Sequence, residues 1–416
     1  MRHLPALLLG TAVLVQPSFA QDYADMSKDV DFPSPQATLE AMRATGNLNE
    51  QRNHLWMLFS GLTRSGGNTT VPVFLTWYGA GEVFANASAA PPLTRDARQT
   101  FSLPSLKDKP RSNSAPLIVR AHYNLAAYRH IRINGLENAA SLIESANLSK
   151  GAAEGDSIPA FPRDAIVLKT VWWPVPEDGA VAIPVWDPAS NPPRATGNDY
   201  LTWSRVVAVS AQPGFGSDVK NVDVDFVGRT FKQVPAVGID AFYHVTLDQQ
   251  TAASLMLDPE TRKLAGLVLG RALHANDRIA LVAMHLATRE LTDWVWGTFW
   301  WHDRPDQGPF VPPRQPEVPP PWRNYLMSVS FDPDLPREPD GSPHVAFNPW
   351  LEGRFPDGGH GGGAVSNCVS CHRRASTAAD GPFLVTRGRE DSLRPASSQK
   401  IPVATSSLWS LPLQAR

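Results

Sequence analysis

Between Ile158 and His302 the chain is written in short runs of β-branched and aromatic residues: Ala165–Trp173 (AIVLKTVWW), Val181–Trp186 (VAIPVW), Leu201–Val209 and Arg278–His285 (RIALVAMH). Pro, Gly, Asn and Asp keep interrupting them, as turns interrupt strands. Runs this short cannot build a helical bundle; they bury their apolar faces by stacking sheet on sheet or by closing one sheet on itself. The expected fold class is therefore α+β and β-rich, with a sandwich- or barrel-like sheet body. Proline agrees, at 39 of 416 residues against a usual ~5%. Within this stretch Val245–Leu257 and the segment from Pro259 allow short helices.

The flanks have a different texture. Ser34–Asn49 reads as a short surface helix behind Ser-Pro-Gln. Val71–Phe84 reads as a strand and turn, and Ala121–Ile131 and Leu136–Leu148 as two helices parted by Asn134-Gly135. Pro305–Trp322 is dense enough in proline to favour polyproline II and to lie outside the core. The expected division is a leader at 1–20, a mixed helix and strand region at 21–155, a β-rich domain at 156–304, a Pro-rich strap at 305–346 and a C-terminal segment at 347–416. No internal repeat of fixed period is present.

Residues 1–20, MRHLPALLLGTAVLVQPSFA, start basic, continue apolar and end in small residues, which is the pattern of a secretory signal peptide cleaved before Gln21. The apolar run is shorter than the ~20 residues of a spanning helix. The mature chain is expected to be periplasmic or secreted, with no membrane span after cleavage. A formal charge of −2 offers no footprint for nucleic acid. GxSxG, GxxxxGK[ST] and HExxH are all missing from the sequence.

The only two cysteines form Cys368-Val369-Ser370-Cys371-His372, a CxxCH. This is the attachment signature of one covalent haem c: two thiols a helical turn apart reach both vinyl groups, and the adjacent His372 becomes the proximal iron ligand. A zinc site would need further grouped Cys or His, and no histidine follows His372. A thioredoxin-like pair would want a βαβ setting, and a simple disulfide stands as the third rival. The motif's position excludes an ordinary small cytochrome c fold, because residues 373–416 contain neither Met nor His. A sixth protein ligand must come from upstream.

Three histidines are candidates for it. His302 closes an aromatic segment in which strand alternation would put Trp294, Trp296, Trp300 and His302 on one face. His285 ends an apolar strand, and His360 sits in a glycine-rich hinge twelve residues before His372. Met284 and Met327 are possible thioether ligands but fit core filling better. The tryptophan cluster of Trp172, Trp173, Trp186, Trp294, Trp296, Trp300 and Trp301 could line a cofactor or assist electron transfer, but most of it reads as core. Arg373 and Arg374 could pair with haem propionates.

The runs LVAMHLATRELTDWVWGTFWWHDRPDQGPF (281–310), NPWLEGRFPDG (348–358) and SNCVSCHRRAS (366–376) resemble exported bacterial cytochrome c family proteins with a C-terminal CxxCH motif. The resemblance spans roughly residues 166–376. It implies haem at Cys368, Cys371 and His372, and it implies no substrate. Two functions are expected from these readings: electron transfer to a redox partner through a six-coordinate iron, or a haem-dependent peroxidase or oxygenase with an open distal site.

Overall fold

The computed structural model describes residues 30–65, 71–85, 115–138, 140–142, 144, 158–192, 199–311, 318–353, 367–373, 375–378, 381–382, 403–404 and 408. The expected leader, the glycine-rich stretch with His360, and Arg374 lie outside the described residues.

Helix α1 (Gln36–Thr45) ends at Gly46, which adopts φ 61°. Helix α2 (Leu48–Thr63) follows, its start capped by Asn47, whose side chain accepts from the Asn49 and Glu50 amides. The sequence reading stopped at Asn49 and missed α2. Its Gln51 and His54 are buried beside the apolar residues, and such polar insertions blur the helical stripe.

Val71–Phe84 is not a strand: it holds a 3₁₀ turn (Val73–Thr76), a two-residue strand β1 (Tyr78–Gly79) and a short helix α3 (Ala80–Val83). Ala121–Ile131 is likewise divided, into strand β2 (Ile118–Tyr123) and helix α4 (Leu125–Ile133). Asn124 makes the division, because its side chain accepts from the Ala127 amide and starts the helix there. Beyond Gly135, with φ 64°, residues 140–142 are helical.

The strand-rich stretch has the expected texture: β3 (Ile166–Val175), β4 (Ala180–Val185), β5 (Arg205–Ser210), β6 (Asn221–Phe226), β7 (Arg229–Gly238) and β8 (His244–Thr246). Helices α5 (Gln249–Leu255) and α6 (Pro259–Leu269) come next, then β9 (Arg278–Thr288) and β10 (Val295–Trp301). Strand β11 (Tyr325–Ser330) lies in the segment read as a strap, and Val318 and Trp322 before it are buried. That segment is therefore partly core.

The main sheet runs β1-β2-β3-β9-β10-β11 and is antiparallel, with β8 also on β9. It crosses the boundary expected at residue 156, since β2 pairs with β3 over Ile118–Tyr123. A second sheet, β4-β5-β7-β6, includes one parallel pair, β5 with β7. The architecture is α+β, a β-rich sandwich-like body with no closed barrel. Among the described residues no helix is long and apolar enough to cross a membrane.

Each face of the main sheet has its own cover. On the first, α2 lies so close that a Cβ added to Gly297 would come within 2.4 Å of Leu55 Cδ1, and Phe59 stacks on Phe299 at 4.3 Å. His54 Nε2 meets Glu290 Oε2 at 3.0 Å, Thr288 Oγ1 donates to the same oxygen at 2.7 Å, and the Ser34 amide donates to Oε1 at 2.9 Å. This buried carboxylate ties the amino-terminal segment and α2 to the end of β9. His122 is fully buried on the same face, its Nε2 3.0 Å from Thr170 Oγ1. Burial, with help from Arg120, pushes its pKa down to about 3.

That shift predicts an acid-sensitive fold. A histidine held neutral contributes stability above its unfolded pKa of ~6.5 and loses it as pH falls toward the folded value. The urea midpoint should therefore decline between those two pH values, and His122→Gln should flatten that part of the profile. An identical pH profile in the variant would assign the decline to other groups.

Candidate functional site

The opposite face of the main sheet is divided. Its side chains follow the register: Trp296 is opposite Ala287 and Ser330, Thr298 opposite His285 and Ser328, and Trp300 opposite Ala283 and Leu326. Continuing into β3, Lys169 lies opposite His285. The result is a polar row, Lys169–His285–Thr298–Ser328, crossing four strands in line. On one side of it Trp300 joins the large core beneath the second sheet. On the other, Trp296 and Ala287 join a smaller apolar cluster with Ala121, Tyr123, Phe161, Trp294, Cys368 and Val369.

The CxxCH motif belongs to that smaller cluster. Pro349–Glu352 forms α7 and Cys368–His372 forms α8. Asn367 starts α8 by accepting from the Ser370 amide at 3.0 Å, and its Nδ2 donates to the Asp332 and Pro333 carbonyls. Ser370 Oγ donates to the Pro333 carbonyl, and the Val369 amide to Ser330 Oγ at 3.3 Å. The turn is thus fixed to the end of β11.

One helical turn puts Cys368, Cys371 and His372 at i, i+3 and i+4, which share a face. That face straddles the boundary between core and solvent: Cys368 is buried, His372 half-buried and Cys371 exposed. The His372 ring lies 3.8 Å from that of Trp296, centroid to centroid. Cys368 Sγ lies 3.7 Å from the Ala346 carbonyl oxygen. Burial, then the charge of Glu352 and the neighbouring Cys371, push the Cys368 thiol well up from its ordinary pKa.

These features separate the rival chemistries. A dithiol oxidoreductase needs an exposed thiolate of lowered pKa at the start of the helix. Here the thiol at that position is buried and held protonated. Among the described residues no three His, Cys, Asp or Glu side chains converge as a metal site. The donor set of two thiols and one imidazole, in this order on one turn, fits a covalent haem.

The candidate upstream ligands are dispersed. His302 lies just beyond β10 at the end away from Trp296, about 20 Å along the strand at ~3.3 Å per residue. Its Nε2 faces the Trp186 carbonyl at 3.2 Å, and its Nδ1 accepts from the Arg304 amide at 2.9 Å. Only Trp296 and Trp300 of the expected aromatic face lie in the strand, because Trp294 precedes it with φ 63°. Met284 and Met327 flank Phe299 on the opposite face, fully buried. Arg373 Nε is 3.3 Å from Asp293 Oδ1.

His285 is different, for it stands on the face that carries the motif. Its Nε2 is 2.8 Å from Glu352 Oε1, while its buried Nδ1 has no hydrogen-bond partner among the described residues. Burial pushes the Glu352 carboxyl up, but His285, the Asn348 amide and Lys169 outweigh it and hold the group below its ordinary pKa. Asn348 completes the arrangement: its backbone N–H donates to Glu352 Oε2, and its Nδ2 donates to Thr298 Oγ1 at 2.7 Å and to the Phe299 carbonyl at 3.1 Å.

Sequence reasoning missed Asn348, Glu352 and Ser328. Asn-Pro before a short apolar run is a helix-start signal that could have found the first two; Ser328 carries none. Compared with known proteins, the chain matches no family model, no curated protein and no solved structure.

Proposed function

We propose that this chain is an exported monohaem c-type protein that transfers single electrons through haem joined to Cys368 and Cys371, with His372 as the proximal ligand. The observation that carries this reading is the single helical turn holding both thiols and the imidazole on one face, with Cys368 anchored in an apolar cluster. The group would supply a one-electron iron couple. The chain's own residues contribute its covalent retention, the orientation of the His372 ring against Trp296, and an apolar flank that favours the less charged state of a metal centre.

A second reading rests on His285. A half-buried imidazole paired with a carboxylate, with one nitrogen that has no partner among the described residues, is the equipment of an enzyme with an open distal position, such as a peroxidase or oxygenase. Purified exported protein should give the pyridine haemochrome of a haem with two thioether bonds, at one haem per chain, and an amino terminus at Gln21. A reduced spectrum indifferent to carbon monoxide supports electron transfer, and one shifted by it supports the enzyme. Bare polypeptide from a host able to mature c-type proteins would end both readings.

A further inference from the structure

The ring of His372 is the inner end of a continuous series of aromatic contacts. Centroid distances are 3.8 Å to Trp296, 6.5 Å from Trp296 to Trp294, 5.5 Å from Trp294 to Phe161 and 4.2 Å from Phe161 to His130. His130 lies on α4, at a surface cavity of about 440 Å³ lined also by Arg129, Ile133 and Asp164. Its ring is held by contacts from Nε2 to the Pro159 carbonyl at 2.9 Å and from Nδ1 to Asn134 Nδ2 at 3.3 Å.

Trp294, the central member, is costly to keep. It occupies the last position of the β9–β10 connection with φ 63°, where Gly or Asn would sit without strain and a bulky side chain is a true outlier. Its side chain is fully buried, and its indole N–H has no hydrogen-bond partner among the described residues. Backbone strain of this kind costs stability, and so does an unmade buried hydrogen bond. Packing alone explains neither, because a leucine or phenylalanine would fill an apolar cluster without the orphaned donor.

We propose that Trp296, Trp294 and Phe161, in that order, conduct electrons between His372 and the surface at His130. The inference rests on the electron-transfer reading. In the step, a one-electron donor at the α4 surface is oxidised by one electron and the iron at His372 is reduced by one. The rings on the path return to their starting state and no bond forms or breaks. No proton travels with the electron in this scheme, because the Trp294 N–H has no acceptor among the described residues.

Ile133 is 79% exposed and one helical turn from His130, so Ile133→Cys can carry a ruthenium polypyridyl photo-donor. In haem-loaded protein, verified by its haemochrome before the flash, transfer to the iron is read optically. Trp294→Leu is expected to slow it by about tenfold or more, a barrier change of ~1.4 kcal/mol, while Trp294→Phe, which keeps a packed ring, slows it less. The same donor placed through Leu257→Cys, a position 77% exposed on another part of the surface, should be insensitive to both changes. If Trp294→Leu does not fold, Phe161→Leu carries the same expectation. Equal rates from position 133 with and without the substitution, or equal slowing from both positions, would overturn the conduit and leave the haem untouched. A negative haemochrome would remove the parent reading and this one together.

Discussion

Exported with a c-type maturation system, the wild-type chain is expected to keep its haem through acidified-acetone extraction, and the Cys368→Ser, Cys371→Ser double variant to lose all of it. The effect is all-or-none because a thioether is covalent, whereas the coordination bond from His372 is broken by acid. The single variants should differ from each other. Cys371 is exposed, so a hydroxyl there costs nothing, and Cys371→Ser should keep haem through one bond at near-normal yield. Cys368 lies in the apolar cluster beside Trp296 and Val369, and Cys368→Ser puts a stronger polar group where the sulfur is. That variant should mature less and unfold earlier. Intact-mass spectra before and after extraction check this, and haem retained by the double variant would sink the attachment model.

The second large effect is on stability. Glu290 is 1% exposed and accepts from three groups, His54, Thr288 and the Ser34 amide. Removing the carboxylate by Glu290→Ala leaves these donors buried without a partner. Breaking such a buried pair costs about 3–5 kcal/mol, against a whole-domain stability of roughly 5–15 kcal/mol. Glu290→Gln keeps one acceptor oxygen and should cost less. Urea unfolding with an unchanged slope and a much lower midpoint would show this; a midpoint within experimental error of wild type would mean that water replaces the carboxylate.

The parts of the molecule that were legible in advance are those in which local chemistry decides. Strands such as Ile166–Val175 and Arg278–Thr288 announced themselves because β-branched and aromatic residues suit a buried sheet whatever lies around them. Pro259 marked the start of α6 in the same local way. Failures came where a distant partner decides. Ile118–Tyr123 contains Arg120 and His122 and looks unsuited to a central strand, yet both are buried between β1 and β3. Val71–Phe84 has strand composition but turns through 3₁₀ and α geometry against α2.

The candidate site divides along the same line. Cys368, Cys371 and His372 are adjacent in sequence and needed no fold to be recognised. Lys169, His285, Thr298 and Ser328 become one feature only through the registers of β3, β9, β10 and β11. His302 shows the converse: strand alternation linked it to Trp296 on paper, but its ring nitrogens are both engaged at the other end of the strand.

The polar row across the sheet gives the molecule a seam. Lys169 and His285, both half-buried, set the lesser apolar cluster apart from the greater one on this face, so the turn Cys368–His372 is expected to open as a unit of its own. In amide exchange, the protons around Val369 should be released by openings that leave those of β9 and β10 protected. Such an opening would expose the buried Cys368 thiol while the strands of the main sheet stay paired.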